Sequence, residues 1–300
     1  MITMQRPETI DVVIRFHDAQ RLAELERAVF SLAMQRYRPI NIVLVTQRFT
    51  EEVIEETLGY LSAVLSIKDA PSLQIVNFSE PEPRDARSIL INVGIQHATG
   101  RYLAFLDYDD CLYPEAYELL VSRVRDTDAA IAFGGITLHY LDMFPAFSFR
   151  TGAALPFKGR GIFDLFEDNF CPIHSFVIDR TKLTMQELYF EPYMCRAEDY
   201  DFLLRVCAQH LSDFTLCGTI IGAYNFKNDG SNTTLTESAT TEDARRSWAD
   251  ANVFLEGRRR TMPLAAVVQR SLGLQPDPNL TIRGLLDRGR EALPLKLLKA

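Results

Sequence analysis

The chain has 300 residues, 47% of them apolar and 24% charged, the balance of a folded globular protein and not of a disordered one. Its 40 acidic residues outnumber 32 basic ones for a net charge of −8, which argues against a general nucleic-acid binder, because neutralising phosphates takes clustered Lys and Arg. The five cysteines contain no Cys-x-x-Cys, so neither a zinc ribbon nor a dithiol redox site is expected.

In chain order, the run Asp11-Val-Val-Ile-Arg-Phe-His17 reads as a first strand entering a polar edge. Residues Ala19 to Gln35 follow with helical spacing, placing Leu22, Leu25, Ala28, Val29 and Leu32 on one face. Ile40 to Val45 is a second strand. Thr50 to Leu65 is a second helix, with Thr50 as N-cap before Glu51 and Glu52. Leu73 to Phe78 is a third strand, Arg87 to Ala98 a helix closed by Gly100 as a C-terminal glycine cap, and Tyr102 to Leu106 a fourth strand. Such alternation predicts a mostly parallel sheet covered on both faces. Sheets of this kind bind ligands at the carboxyl ends of their strands. There the sequence places Arg15, His17 and Asp18 after strand one, and Asp107, Tyr108, Asp109 and Asp110 after strand four.

Beyond Leu112 the pattern changes. Pro114 opens a helix that runs to Arg125, and Ala129 to Leu138 is a strand, too short to span a bilayer. Tyr140 to Phe157 is an aromatic hairpin or loop whose Tyr140, Phe144, Phe147 and Phe149 read as an anchoring core cluster. Ile173 to Ile178 is a strand, and His174, which follows Cys171 and Pro172, is read as a satisfied structural residue. Glu198 to His210 is an amphipathic helix with Phe202, Leu203, Val206 and Cys207 inward, and Phe214 to Tyr224 gives two short strands. Cys171 and Cys195 read as small buried residues. The sequon Asn232-Thr233-Thr234 carries no weight, because Met1 to Asp11 has no apolar signal core. A soluble or peripheral cytoplasmic protein with reduced thiols is expected.

Residues Gly257 to Ala300 hold nine Lys or Arg against three Asp or Glu, a net of +6 that leaves −14 for the rest. This tail reads as a helical appendage packed on an acidic body, the alternative being peripheral contact with an anionic membrane surface.

Three signals carry chemistry. A buried strand ends in Asp107-Tyr108-Asp109-Asp110, and packing three carboxylates together is costly unless a cation sits among them. Hard oxygen ligands suit Mg²⁺ or Mn²⁺, and such an ion keeps open positions for substrate phosphates. Helix capping would explain one of the three. Second, Glu198-Asp199-Tyr200-Asp201 crowds the start of a helix. The dipole favours acids there, and a carboxylate in a cleft also serves as a general base. Third, Asn92-Val-Gly94-Ile95 and Ala98-Thr-Gly100 mark a helix and strand in close approach, with Arg87 in the preceding loop.

In this order the signals resemble glycosyltransferase family 2, inverting nucleotide-sugar enzymes with the GT-A fold, over Asp11 to Thr234. The resemblance implies a Rossmann-like, mostly parallel α/β domain at 1–235 and a C-terminal helical extension at 236–300. It implies Asp109, Asp107 and Asp110 as metal carboxylates for Mn²⁺ or Mg²⁺, Asp109 foremost, and Asp199 as catalytic base with Glu198 beside it. Arg15, His17, Asp18, Arg87, Asp107 and Lys227 would face the nucleotide. The partners implied are a nucleoside-diphosphate sugar donor and a glycan or lipid-linked acceptor, in surface glycan assembly. The chain departs from the family at Thr46-Gln47-Arg48, where an Asp pair is usual, and at Tyr224-Asn225-Phe226-Lys227, where Lys227 replaces a lost positive charge. Two other readings stand beside this one: a non-catalytic nucleotide-sugar-binding subunit, and a haloacid-dehalogenase-type phosphatase with Asp107 as nucleophile.

Overall fold

The structure, a computed structural model, describes residues 8–144, 147–232 and 241–289. The first half alternates as the apolar spacing predicts: β1 (Ile10–Phe16), a 3₁₀ turn (Ala19–Arg21), α1 (Leu22–Ala33), β2 (Ile40–Gln47), α2 (Glu51–Leu65), β3 (Ser72–Phe78), α3 (Arg87–His97) and β4 (Tyr102–Phe105). These four strands are parallel, in the order β3-β2-β1-β4. The α1 stripe of Leu25, Ala28, Val29 and Leu32 is wholly buried. The Thr50 hydroxyl accepts from the Val53 amide and starts α2.

The second half holds β5 (Cys111–Leu112), α4 (Ala116–Asp126), β6 (Ile131–Met143), β7 (Ser148–Ala154), α5 (Ile162–Glu167), β8 (Phe176–Asp179), α6 (Glu198–Gln209) and β9 (Ser212–Lys227). The sheet continues β4-β8-β6-β9-β5, with β7 paired to β6. β8 runs against its neighbours, and β6 and β9 are parallel. One apolar layer, rich in Phe105, Phe176, Phe190 and Phe202, lies beneath α3, α5 and α6. The other lies beneath α1, α2 and α4.

Four expectations change. Residues Ser212–Lys227 form one long strand and not two, because register shifts against β6 between Ala132 and Ile136 let it bend without breaking. Tyr140, Phe144, Phe147 and Phe149 are 43%, 48%, 61% and 60% exposed and are not core. They stand on the β6–β7 hairpin, whose β7 pairs with β6 alone. Cys195 is only half-buried, whereas Cys171 is buried. Gly100 is not a left-handed cap: α3 ends at Ala98 in extended backbone. A side chain on Gly100 would lie 2.4 Å from the Thr9 carbonyl oxygen, and its amide donates to buried Asp11 at 2.6 Å.

Gly94 answers the same demand for close approach between α3 and β1. A Cβ there would stand 2.3 Å from Val13 Cγ1. Gly94→Ala is therefore expected to cost about 1–3 kcal/mol by overpacking, read from the urea midpoint. Adding Val13→Ala should return part of it, and an unchanged midpoint in the single variant would remove this account.

The extension supplies α7 (Glu242–Thr261), α8 (Ala266–Ser271) and α9 (Ile282–Arg288). The expected boundary at 235/236, the sequon residues Thr233 and Thr234, and the tail after residue 289 lie outside the described residues. Ala251, Leu255, Leu264, Val268, Ile282 and Leu285 join the same apolar layer as Phe202 and Leu203. Its basic side chains bind the chain itself: Arg258 reaches Asp201 at 2.7 Å, and Arg260 and Arg283 share Glu256 at 2.9 and 3.0 Å. Only the first of these pairs joins the extension to the preceding domain; Glu256 belongs to α7 itself. No described helix is long and apolar enough to cross a membrane.

Candidate active site

Parallel register brings the first two candidates together. Val13 of β1 lies opposite Phe105 of β4, and the Leu106 amide bonds the Val13 carbonyl. Two residues further on, Arg15 and Asp107 emerge side by side. The Arg15 guanidinium forks onto both Asp107 oxygens at 2.8 and 3.2 Å and donates to Glu198 Oε1 of α6 at 2.6 Å. Arg15 thus ties the ends of β1, β4 and α6. Arg87, at the start of α3, is held by Asp85 at 3.0 Å.

The end of β9 alternates its side chains. Asn225 and Lys227 face the carboxylate loop. The Asn225 backbone N–H donates to Asp110 Oδ1 at 2.8 Å and its carboxamide to the Asp109 carbonyl at 2.6 Å, and Lys227 Nζ lies 2.8 Å from both Asp109 Oδ2 and Glu24 Oε2. Tyr224 and Phe226 alternate with them and line the cleft described below. Burial, then the charges of Asp109 and Asp107, holds the Asp110 carboxyl well above the usual range.

α6 opens on Ala197, whose φ of +54° is left-handed, a strained geometry for a residue with a Cβ. It delivers Glu198 and Asp199 to the cleft with unequal fates. Glu198 is ion-paired with Arg15. Asp199 accepts from the Tyr200 amide at 2.8 Å and from Asn169 at 3.4 Å. Burial and the neighbouring Glu198 charge push its carboxyl up to about 7, against opposing pulls from the Tyr200 amide and Arg15.

A cleft of about 610 Å³ joins Arg15, Arg87, Asp107, Asp110, Glu198 and Asp199. Four expected site residues do not line it. His17 is exposed against the edge of the Tyr108 ring, Asp18 caps the 3₁₀ turn through the Gln20 amide, and Asp109 and Lys227 face each other beside Glu24. Where the family pattern has an Asp pair, Gln47 and Arg48 instead bind the carbonyls of Arg84 and Glu80.

Three contributors were missed. His174 is wholly buried in the cleft wall, its Nδ1 3.2 Å from Asp110 Oδ2, with no hydrogen bond at either ring nitrogen among the described residues. Burial drops its pKa to about 4, so it is neutral at neutral pH. The expectation of a satisfied structural histidine therefore fails. Glu24 flanks the apolar α1 stripe on one side as Glu26 does on the other, and only the fold buries it. The third is α7, from the extension.

Among solved structures, the mannosyltransferase PcManGT of Pyrobaculum calidifontis, in complex with GDP-Man and Mn²⁺, aligns over 96% of this chain and 81% of its own, with TM-score 0.54 and 13% identity. The TarS 1–349 structure of S. aureus with UDP-GlcNAc aligns over 82% of this chain and 66% of its own, with TM-score 0.54 and 13% identity. The fold is thus that of the GT-A glycosyltransferases. A profile of glycosyl transferase family 2 matches residues 11–185, and the chain belongs to that family. It is also 25% identical over 129 residues to the uncharacterized glycosyltransferase YibD of Escherichia coli (strain K12). That match covers 43% of this chain and spans 34% of the relative's length. The family assignment, with Asp107 on the fourth strand and held by Arg15, sets aside the phosphatase reading.

Proposed function

We propose that this glycosyltransferase moves a sugar from a nucleoside-diphosphate sugar to an acceptor hydroxyl with inversion, Asp199 serving as base. The observation that carries the reading is Asp199 itself: a half-buried carboxyl in the shared cleft, short of strong partners, whose pKa near 7 matches the task of a base at neutral pH. Glu198, neutralised by Arg15, suits positioning better than proton removal. Attack by the acceptor oxygen on the anomeric carbon, as its proton passes to Asp199, breaks the bond to the diphosphate in one displacement and calls for no nucleophilic Ser or Cys.

On the donor side, Arg15, paired with Asp107 and Glu198, and Arg87, held by Asp85, bring two cations of the cleft to a diphosphate. His17 and Asp18 at the rim and Lys227 behind Asp109 complete the proposed nucleotide side. A divalent cation fits the residues present. The donors are hard carboxylate oxygens, Asp110 sits among like charges that a cation would relieve, and the buried imidazole beside it has open nitrogens. Among the described residues no three His, Cys, Asp or Glu side chains form a metal cluster, yet Mg²⁺ or Mn²⁺ needs only one or two carboxylates beside phosphate oxygens and water. Asp110 and Asp107 would hold it from the cleft, and Asp109 once Lys227 yields. When bound, it stabilises charge on the departing diphosphate. PcManGT is in complex with both GDP-Man and Mn²⁺, which supports the reading.

The acceptor is a glycan or a lipid-linked glycan, as in surface glycan assembly. Calorimetry with UDP-, GDP- and dTDP-linked sugars, with and without Mn²⁺, tests the donor side. Metal-dependent binding of one nucleotide class is expected, weakened at least about tenfold by Asp110→Asn. Binding indifferent to Mn²⁺ would remove the metal. Binding without transfer to any hydroxyl acceptor would favour the non-catalytic subunit.

A further inference from the structure

The extension contributes a wall of the cleft. Trp248, Asn252, Leu255 and Arg259 of α7 all line it, and their spacing of four, three and four is a single stripe of an α-helix. The inner end of the stripe is fixed. Leu255 is buried, and Arg259 donates to the Phe166 carbonyl at 2.9 Å and to the Tyr200 hydroxyl at 2.8 Å. Arg258 beside it pairs with Asp201 at 2.7 Å. Tyr200 and Asp201 directly follow Asp199, so α7 is clamped to the helix that carries the proposed base. The outer end presents Trp248 and Asn252, and Phe157, Tyr224 and Phe226 line the same cleft.

We propose that this stripe is the acceptor subsite and that it takes a carbohydrate. A pyranose offers an apolar C–H face and a rim of hydroxyls. An indole face covers the first, and a carboxamide, with donor and acceptor on one group, meets the second. The stripe carries a single cation, Arg259, which anchors α7 to the Phe166 and Glu167 carbonyls and the Tyr200 hydroxyl, and its cleft-facing outer end is an indole and a carboxamide with no positive charge for a diphosphate. The cations suited to a nucleotide stand on β1 and α3. A sugar on Trp248 and Asn252 presents its hydroxyl toward Asp199. The inference rests on the transferase reading of the cleft and adds to it the place where the acceptor's sugar is held.

Trp248 is the chain's only tryptophan, so its emission reports this wall alone. The probes are UDP and GDP, then the methyl glycosides of glucose, galactose, mannose and N-acetylglucosamine in the presence of nucleotide. A saturable change in emission with at least one glycoside, absent with nucleotide alone, is expected. Trp248→Ala should keep calorimetric affinity for the nucleotide sugar within about twofold and raise the KM for the glycoside acceptor by about tenfold. Asn252→Ala, at an exposed position, repeats the test should the first variant melt early. The inference is overturned if nucleotide alone moves the emission, if no glycoside does, or if the variants weaken donor binding. A failure of the transferase reading looks different, since no nucleotide sugar would then register in calorimetry on the wild-type chain.

Discussion

Asp199→Asn is expected to end sugar transfer while raising thermal stability. Positioned general bases contribute about 10²–10⁴-fold to rate, and Asn keeps the shape without accepting the proton. Donor affinity should hold, so the loss falls on kcat. The stability gain follows from linkage. The Asp199 carboxyl, at about 7 in the fold, lies above its unfolded range near 3.9. Below pH 4 it is protonated in both states and costs nothing. Between pH 4 and 7 the native state retains a proton that the unfolded chain has released, and above 7 the full penalty of ionising this half-buried acid applies, at most on the order of 4 kcal/mol. The melting temperature of the variant should therefore exceed that of the wild type most above pH 7 and converge with it near pH 4. The wild-type kcat/KM should fall about tenfold per pH unit below 7. Glu198 raises the Asp199 pKa, Asp107 adds to it, and Arg15 opposes them. Glu198→Gln should accordingly move the inflection to lower pH. Transfer by Asp199→Asn at a wild-type rate would send the search for the base elsewhere, and a flat stability difference across pH would contradict the burial argument.

Lys227→Met should be the most destabilising change in the site. The ammonium is 1% exposed and bridges Glu24 and Asp109 at 2.8 Å each. Met matches its length and removes the charge, leaving buried Glu24 and half-buried Asp109 without the cation between them. Breaking one partner out of such a pair costs about 3–5 kcal/mol. Arg21 still holds the other Glu24 oxygen at 2.7 Å, so Asp109 bears most of the loss. The denaturant midpoint should drop with the slope unchanged. The deficit should shrink as pH falls, because burial already holds the Asp109 carboxyl above its usual range and it then takes up a proton, and adding Glu24→Gln should restore part of it. A midpoint equal to that of the wild type would mean that Lys227 contributes no net charge pairing.

These two residues also show where a linear reading stops. The alternation of strand and helix was legible because local apolar spacing reflects which face is buried, and β1 to β4 lie where that spacing put them. The candidates of the carboxylate loop and of α6 were legible because acids crowded at a strand end or helix start depart from what packing alone prefers. Arg15 was legible as a polar residue ending an apolar strand.

Roles within the cluster were not. Glu198 and Asp199 are adjacent acids, and only the three-dimensional position of Arg15 neutralises one and leaves the other with a raised pKa. Lys227 and Asp109 are 118 residues apart, and β9, which brings them together, had been read as two short strands because the bulges that bend it arise from its pairing with β6. His174 passed for packing because neither its burial nor its lack of partners is written in its neighbours. The stripe of Trp248, Asn252, Leu255 and Arg259 has helical spacing that any reader of the sequence could see, yet its meaning depends on what α7 lies against. Composition and periodicity determined the α/β sheet, the strand ends that bear charge and the family they resemble, since each is local along the chain. Which acid keeps its proton, which cation is spent, and which helix closes the cleft were decided by long-range packing, since charge interactions and burial depend on distance in space.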